Sequence, residues 1–155
     1  MGAPASRLCW LAAAFLLAGG GAAWPAEPRV APRAFDGPVR ARVERVIDGD
    51  TIEATAFIWL GQSVTIRVRI DGVDTPELRG ACAAERAKAE AAKLYLERRL
   101  GHAEIVLTAV RHDKYGGRVR ANVRDAKGDL APALIAAGLA RAYAGERRKT
   151  WCGTT

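Results

Sequence analysis

The sequence has little of the chemistry that a zinc site needs. It holds three cysteines and two histidines in 155 residues. Neither His102 nor His112 stands at metal-ligand spacing from a cysteine, which excludes a structural zinc site. No internal repeat and no long low-complexity tract interrupts the chain, so its length fits one domain with small additions.

Long apolar runs are also missing. Residues 8–18 are apolar but too few for a comfortable membrane span. They follow Arg7 and precede the small residues 19–23, an order typical of a secretory signal peptide. We expect residues 1–23 to be removed, with an uncleaved anchor as the alternative. The mature protein would then be exported, either periplasmic or secreted, without stable insertion in a membrane.

Acidic residues are outnumbered by basic ones. Lys and Arg number 24 against 17 Asp and Glu, which gives a formal charge of +7. The balance stays basic when Arg7 is removed. A basic chain suits a polyanionic partner because neutralised phosphates release counterions. Nucleic acid and anionic membrane surfaces are both favoured, and the charge alone does not choose between them.

Cys9 lies in the predicted signal peptide, so two cysteines remain after its removal. An even number of cysteines in an oxidising compartment favours a disulfide. We predict that Cys82 and Cys152 pair and tie the C-terminal tail to the first main helix. Two separate thiols are the alternative.

The remaining chain divides into an arm, a domain and a tail. Residues 24–38 are rich in proline and predict a linker or mobile arm. Residues 39–152 form the expected domain, and residues 153–155 a short tail. The domain begins with three predicted strands joined by short turns, over residues 39–44, 52–60 and 64–71.

A helix is predicted next, over residues 81–100, because good helix formers dominate this stretch. Gly101 is expected to end it. Ala87, Ala91 and Leu94 follow the spacing i, i+4, i+7 and are expected to face the core.

Two further strands, residues 103–111 and 118–124, are predicted around a turn at residues 113–117. Asp129 would cap a second helix that ends at Gly138. This order matches a five-stranded barrel of the oligonucleotide-binding (OB) type, mainly β with two to three helices.

Two short acidic segments fall at the ends of predicted strands. Segment 48–51 is Asp-Gly-Asp-Thr, which suits a hard cation but also an ordinary β-turn. Segment 74–77 is Asp-Thr-Pro-Glu, in which the proline fixes the relation between Asp74 and Glu77. One carboxylate could bind metal while the other moves protons, although a helix-capping turn explains the segment equally well.

Two arginines stand near these segments in the predicted fold. Arg69 ends the third strand and Arg118 begins the fifth. Guanidinium groups bind phosphate oxygens bidentately and keep their charge near neutral pH. A solvated strand face is the alternative for each of them.

Taken together, these residues resemble the thermonuclease family, whose best-known member is staphylococcal nuclease. The resemblance covers about residues 39–143 and rests on four segments: 46–52, 69–77, 113–118 and, more weakly, 137–143. Two departures are visible. In staphylococcal nuclease the arginine directly follows the Tyr-Gly pair, whereas here Gly117 stands between that pair and Arg118. Tyr143 is shifted by one residue relative to the Gly-Leu-Ala segment 138–140.

The resemblance implies a calcium-dependent endonuclease that hydrolyses phosphodiester bonds in DNA and RNA. We expect the protein to be a monomer. Little base specificity is expected, with single-stranded or unpaired polymer preferred. Oxygen ligands for Ca²⁺ would come from Asp50, Asp74 and the Thr75 carbonyl, with Asp48 a possible neighbour. The catalytic residues would be Glu77 as general base and Arg69 and Arg118 on the phosphate. Substrate contacts would come from Lys114, Tyr115 and Tyr143.

The alternative function is an OB-fold protein of the cell envelope that binds nucleic acid without cutting it. Basic grooves with aromatic side chains bind single strands in this way. Glu77 together with both arginines argues against it, since simple binding does not need that set.

Overall fold

The computed structural model describes residues 34–153. Its elements, in chain order, are β1 (Ala34–Phe35), β2 (Val39–Val46), β3 (Thr51–Trp59), β4 (Gln62–Ile70), β5 (Val73–Asp74), α1 (Ala83–Leu100), β6 (Glu104–His112), β7 (Arg118–Asp125), β8 (Gly128–Asp129), α2 (Leu130–Ala136) and β9 (Arg141–Ala142). The five long strands and both helices lie close to where the sequence predicts them.

The five long strands close into a mixed barrel. Strand β2 pairs antiparallel with β3 and β6, β3 pairs antiparallel with β4, and β6 pairs antiparallel with β7. The parallel pairing of β4 with β7 completes the ring. Helix α1 connects the third barrel strand to the fourth. The described part is therefore mainly β with two helices, in an OB-fold-like arrangement.

Alternation along the strands fills the barrel because successive side chains point to opposite faces. Ala41 and Val43 of β2 are buried, while the arginines between and beside them face solvent. The larger fully buried side chains come from both strands and helices: Ile52, Ile70, Leu96, Ile105, Leu107, Leu130 and Leu134. One continuous core thus joins the barrel to both helices.

Helix α1 turns a different face to this core from the one predicted. Its buried residues are Ala89, Ala92, Leu96 and Leu100. The three predicted residues, Ala87, Ala91 and Leu94, are exposed, so that prediction was wrong. Alanines lie on several sides of the helix and make more than one face apolar. The barrel takes the face on which Leu96 and Leu100 supply the large side chains.

The last turn of α1 is fixed to the barrel by a buried ion pair. Arg99 donates to Asp125 Oδ2 at 2.7 Å and Oδ1 at 2.8 Å, and to the Gly128 carbonyl at 3.1 Å. These hydrogen bonds hold the pKa of Asp125 below its usual value. Gly101 follows, and its N–H closes the helix on the Glu97 carbonyl.

Asp129 occupies the N-cap position of α2, as predicted, but its side chain makes no capping hydrogen bond. It accepts two hydrogen bonds from Arg124 instead, both 2.9 Å long. The turn at Gly138 follows the end of the helix, where Gly138 adopts a left-handed φ of 70°.

The two ends of the described chain are both held against the domain. Ala34 and Phe35, at the end of the predicted arm, pair with β6 as strand β1. Cys82 and Cys152 form a disulfide with a Cα–Cα distance of 6.0 Å, which confirms the predicted pairing. The predicted signal peptide, residues 1–23, lies outside the described residues. Neither described helix is long and apolar enough to cross a membrane.

Candidate active site

The two acidic segments meet because a glycine lets them approach. A Cβ on Gly49 would lie 2.8 Å from the Ala92 Cβ and 3.2 Å from the Thr75 Oγ1. No side chain other than hydrogen fits there. Asp48 Oδ1 accepts the Asp50 N–H at 3.0 Å, which shapes the loop as an Asx turn. Segment 48–51 is thereby packed against both α1 and segment 74–77.

Asp50 is a buried carboxylate with one unsatisfied oxygen. It is 2% exposed. Its Oδ1 accepts hydrogen bonds from Arg69 at 2.6 Å and from the Thr51 hydroxyl at 2.9 Å. Its Oδ2 is buried and has no partner among the described residues. Burial raises the pKa of Asp50 to about 6, although the charge of Arg69 acts in the opposite direction.

Asp74 lies beneath the C-terminal segment of the chain. It is 3% exposed. The Trp151 indole donates to its Oδ2 at 3.1 Å, and Arg148 donates to its Oδ1. Arg148 also donates to the Thr75 carbonyl at 3.0 Å and to Glu77 Oε1. Glu77 is otherwise open, with its side chain 54% exposed.

Sequence reasoning missed Arg148 and Trp151. The tail after Tyr143 has no strong helix or strand pattern, so its path was not predictable from periodicity. A signal was nevertheless present. The predicted disulfide joins Cys152 to Cys82, which follows Glu77 closely in the chain, so residues near Cys152 had to lie near segment 74–77.

A cleft of about 580 Å³ lies over these segments. The predicted site residues that line it are Asp48, Asp50, Arg69, Thr75, Glu77, Lys114, Tyr115, Arg118 and Tyr143. Further residues of its wall are His112, Asp113, Arg120, Gly145 and Arg148. Of the predicted set apart from the cysteines, only Asp74 does not line the cleft, and it lies directly beneath Arg148. The sequence segments therefore converge on one surface.

Parallel pairing of β4 with β7 places Arg69 and Arg118 on neighbouring strands. Arg67 lies opposite Arg118, and Arg69 lies opposite Arg120. Arg118 donates its Nε proton to Asp113, and its guanidinium carbon lies 4.8 Å from the centre of the Tyr115 ring.

The extra residue in the turn before β7 takes a conformation that suits glycine. Gly117 has φ of 73°, in the region that side chains with a Cβ rarely adopt. Asp113 N–H closes the turn on the Arg118 carbonyl at 3.2 Å. The turn thereby accommodates the added glycine while Arg118 remains in the cleft wall.

Tyr143 reaches the same cleft through a short sheet. Strand β9 pairs antiparallel with β5, with Asp74 opposite Arg141. The Tyr143 N–H then donates to the Gly72 carbonyl at 3.0 Å. Lys114 also lines the cleft, and its Nζ lies 5.0 Å from the Tyr115 ring centre.

The donor atoms around Asp50 and Asp74 fit a hard divalent cation. Carboxylate and carbonyl oxygens are the ligands that Ca²⁺ prefers, and the unsatisfied buried Oδ2 of Asp50 is an atom that a cation would satisfy. Within residues 34–153, no three acidic side chains bring their oxygens within 4.8 Å of one another. Arg148 stands among these oxygens instead.

A second group of candidate ligands lies at the disulfide. Cys82, Glu85 and Cys152 are close together. The sulfurs are bonded to each other, so they offer no thiolate to a metal. This group does not compete with the oxygen donors as a metal site.

The chain matches the model of a known protein family. The model of the family described as staphylococcal nuclease homologue matches residues 67–151, more than half of the chain. The matched part includes Arg69, segment 74–77, Arg118 and the tail with Arg148, while segment 48–51 precedes it. No curated protein matches the chain significantly. The chain belongs to the staphylococcal nuclease homologue family.

Proposed function

We propose that the protein is a calcium-dependent nuclease that hydrolyses phosphodiester bonds in DNA and RNA. Family membership supports a nuclease. The observation that carries the proposal is that one cleft brings together Arg69 and Arg118 with an exposed glutamate and a buried carboxylate that has an unsatisfied oxygen. A surface that only bound nucleic acid would not need the last two.

Arg69 and Arg118 would hold the scissile phosphate. A phosphodiester is anionic and gains negative charge as water attacks phosphorus. Donors placed in advance at the phosphate oxygens stabilise that charge without reorganising during the reaction. Arg69 is fixed by Asp50 and by the Val73 carbonyl at 3.3 Å. Arg118 is fixed by Asp113, so both groups are preorganised.

Glu77 would act as general base. Its carboxylate would take a proton from water while the water oxygen forms its bond to phosphorus. The ester P–O bond would break with its electron pair leaving on the ester oxygen, which takes a proton from solvent. A well-placed base of this kind contributes roughly 10²–10⁴-fold to the rate. Its exposure in the cleft wall leaves room for both water and phosphate beside it.

Asp50, Asp74 and the Thr75 carbonyl would hold the cation, with Asp48 close by. A bound Ca²⁺ supplies polarisation of a phosphate oxygen at such a site. All the proposed contacts address phosphate rather than bases, so we expect activity on both polymers with little base specificity. Tyr115 and Tyr143 offer faces for stacking unpaired bases.

We propose that the protein is exported and acts in the periplasm or outside the cell. The N-terminal sequence pattern supports export, and the disulfide between Cys82 and Cys152 suits an oxidising compartment.

The proposal is tested by incubating the mature protein with DNA and RNA in calcium and in excess chelator. We expect both polymers to be shortened with calcium and to stay intact in chelator. Cleavage that continues undiminished in chelator would refute the calcium assignment. Retained binding without any cleavage, in calcium or magnesium, would favour the non-catalytic alternative.

A further inference from the structure

Arg148 places a positive charge on the oxygens that the proposed function assigns to calcium. Its three guanidinium nitrogens donate to Asp74 Oδ1, Glu77 Oε1 and the Thr75 carbonyl. A planar guanidinium with its donors in a fixed fork can satisfy several oxygens at once. One side chain therefore engages two of the three proposed ligand residues together with the proposed base.

A guanidinium and a divalent cation repel each other when they lie against the same oxygens. Arg148 and Trp151 each donate to one carboxylate oxygen of Asp74. This repulsion favours departure of the guanidinium when Asp74 or the Thr75 carbonyl coordinates a metal. Its side chain is 39% exposed, so a path to solvent is open.

The segment that follows Arg148 is tied down by two separate contacts. The disulfide of Cys152 anchors it to the start of α1. Arg141 donates to the Thr150 carbonyl at 3.0 Å, and its guanidinium carbon lies 3.7 Å from the Trp151 ring centre. A tethered group acts at a high effective concentration, so Arg148 returns readily whenever the oxygens are free.

We propose that Arg148 is a tethered internal cation that competes with calcium for Asp74 and the Thr75 carbonyl, and that the Cys82–Cys152 disulfide strengthens this competition. The inference rests on the proposed function, since it concerns the same site. Calcium binds only those molecules in which the oxygens are free. The apparent calcium Kd therefore equals the intrinsic Kd divided by the fraction of such molecules. Metal binding and release of Glu77 from Arg148 are then one coupled event.

The test is calorimetric titration of the mature protein with calcium alone, without nucleic acid. We expect Arg148→Gln to lower the calcium Kd by about tenfold. This factor corresponds to oxygens that are free of Arg148 in about one-tenth of wild-type molecules. Arg147→Gln is the matched control, because it removes one positive charge at the adjacent position in the chain. Arg147 is exposed, so the calcium Kd of the Arg147→Gln variant should stay within about twofold of the wild-type value.

The tether is tested by replacing both Cys82 and Cys152 with serine. Loss of the tether lowers the effective concentration of Arg148, so the calcium Kd should fall by a smaller factor, about threefold. If calcium binds more tightly to Arg148→Gln but not to the double serine variant, the role of the disulfide is overturned. A change in Arg147→Gln equal to that in Arg148→Gln would overturn competition in favour of general charge.

The competition itself is overturned if Arg148→Gln binds calcium no more tightly than the wild type. Calcium-dependent cleavage would then still stand, because it is measured in a separate assay with substrate. If Asp74→Asn abolishes binding, the site is located at the proposed oxygens. No calcium binding by any variant would overturn both the competition and the calcium assignment.

Discussion

At the scale of single residues, the candidate site depends on Gly49 as much as on its charged members. The glycine lies against Ala92 of α1 and against Thr75. That contact places the Asp50 carboxylate beside Arg69 and within the buried wall of the cleft. The sequence pattern marked Gly49 only as part of a turn, since the neighbour that requires it comes from a distant segment.

Gly49→Ala should destabilise the protein because the new methyl group would lie 2.8 Å from the Ala92 Cβ. Overpacking of this kind costs about 1–3 kcal/mol. Gly116→Ala is the control, since a Cβ there meets nothing within 4 Å. Urea unfolding of both variants checks the prediction. Equal stability of Gly49→Ala and the wild type would show that the loop does not pack against α1.

At the scale of elements, strand order and helix position could be predicted from the sequence. Alternation in β2 and in the second half of β4 is determined by the barrel itself, because one face of the chain is buried there. The buried face of α1 could not be predicted, since its many alanines leave several faces equally apolar. Only the barrel surface opposite the helix decides between them.

The buried face of α1 can be tested with two leucine variants. Leu96 is fully buried, so Leu96→Ala should lower the free energy of unfolding by about 2–5 kcal/mol. Leu94 is 44% exposed, and Leu94→Ala should change the free energy of unfolding by about 0.5 kcal/mol or less. Denaturant unfolding measures both. A larger loss of unfolding free energy in Leu94→Ala than in Leu96→Ala would indicate instead that the face with Ala87, Ala91 and Leu94 is the buried one.

At the scale of the whole molecule, the barrel gathers segments that lie far apart in sequence into one cleft. The ordered motifs of the sequence predicted which segments these are, because segments 46–52, 69–77 and 113–118 each end or begin a barrel strand. The contacts of Arg148 were not predictable in the same way. They arise from the disulfide and from the pairing of β9 with β5, both of which join the tail to segment 74–77.

The central claim is that this cleft hydrolyses phosphodiester bonds with Glu77 as base. The most direct measurement is the rate at which Glu77→Gln cleaves single-stranded DNA in calcium, together with its affinity for the same strand. Glu90→Gln serves as the charge-matched control, since Glu90 lies exposed on α1 and does not line the cleft.

We expect the cleavage rate of Glu77→Gln to fall by about 10²-fold or more, with binding retained and Glu90→Gln fully active. Cleavage by Glu77→Gln at the wild-type rate would contradict the account.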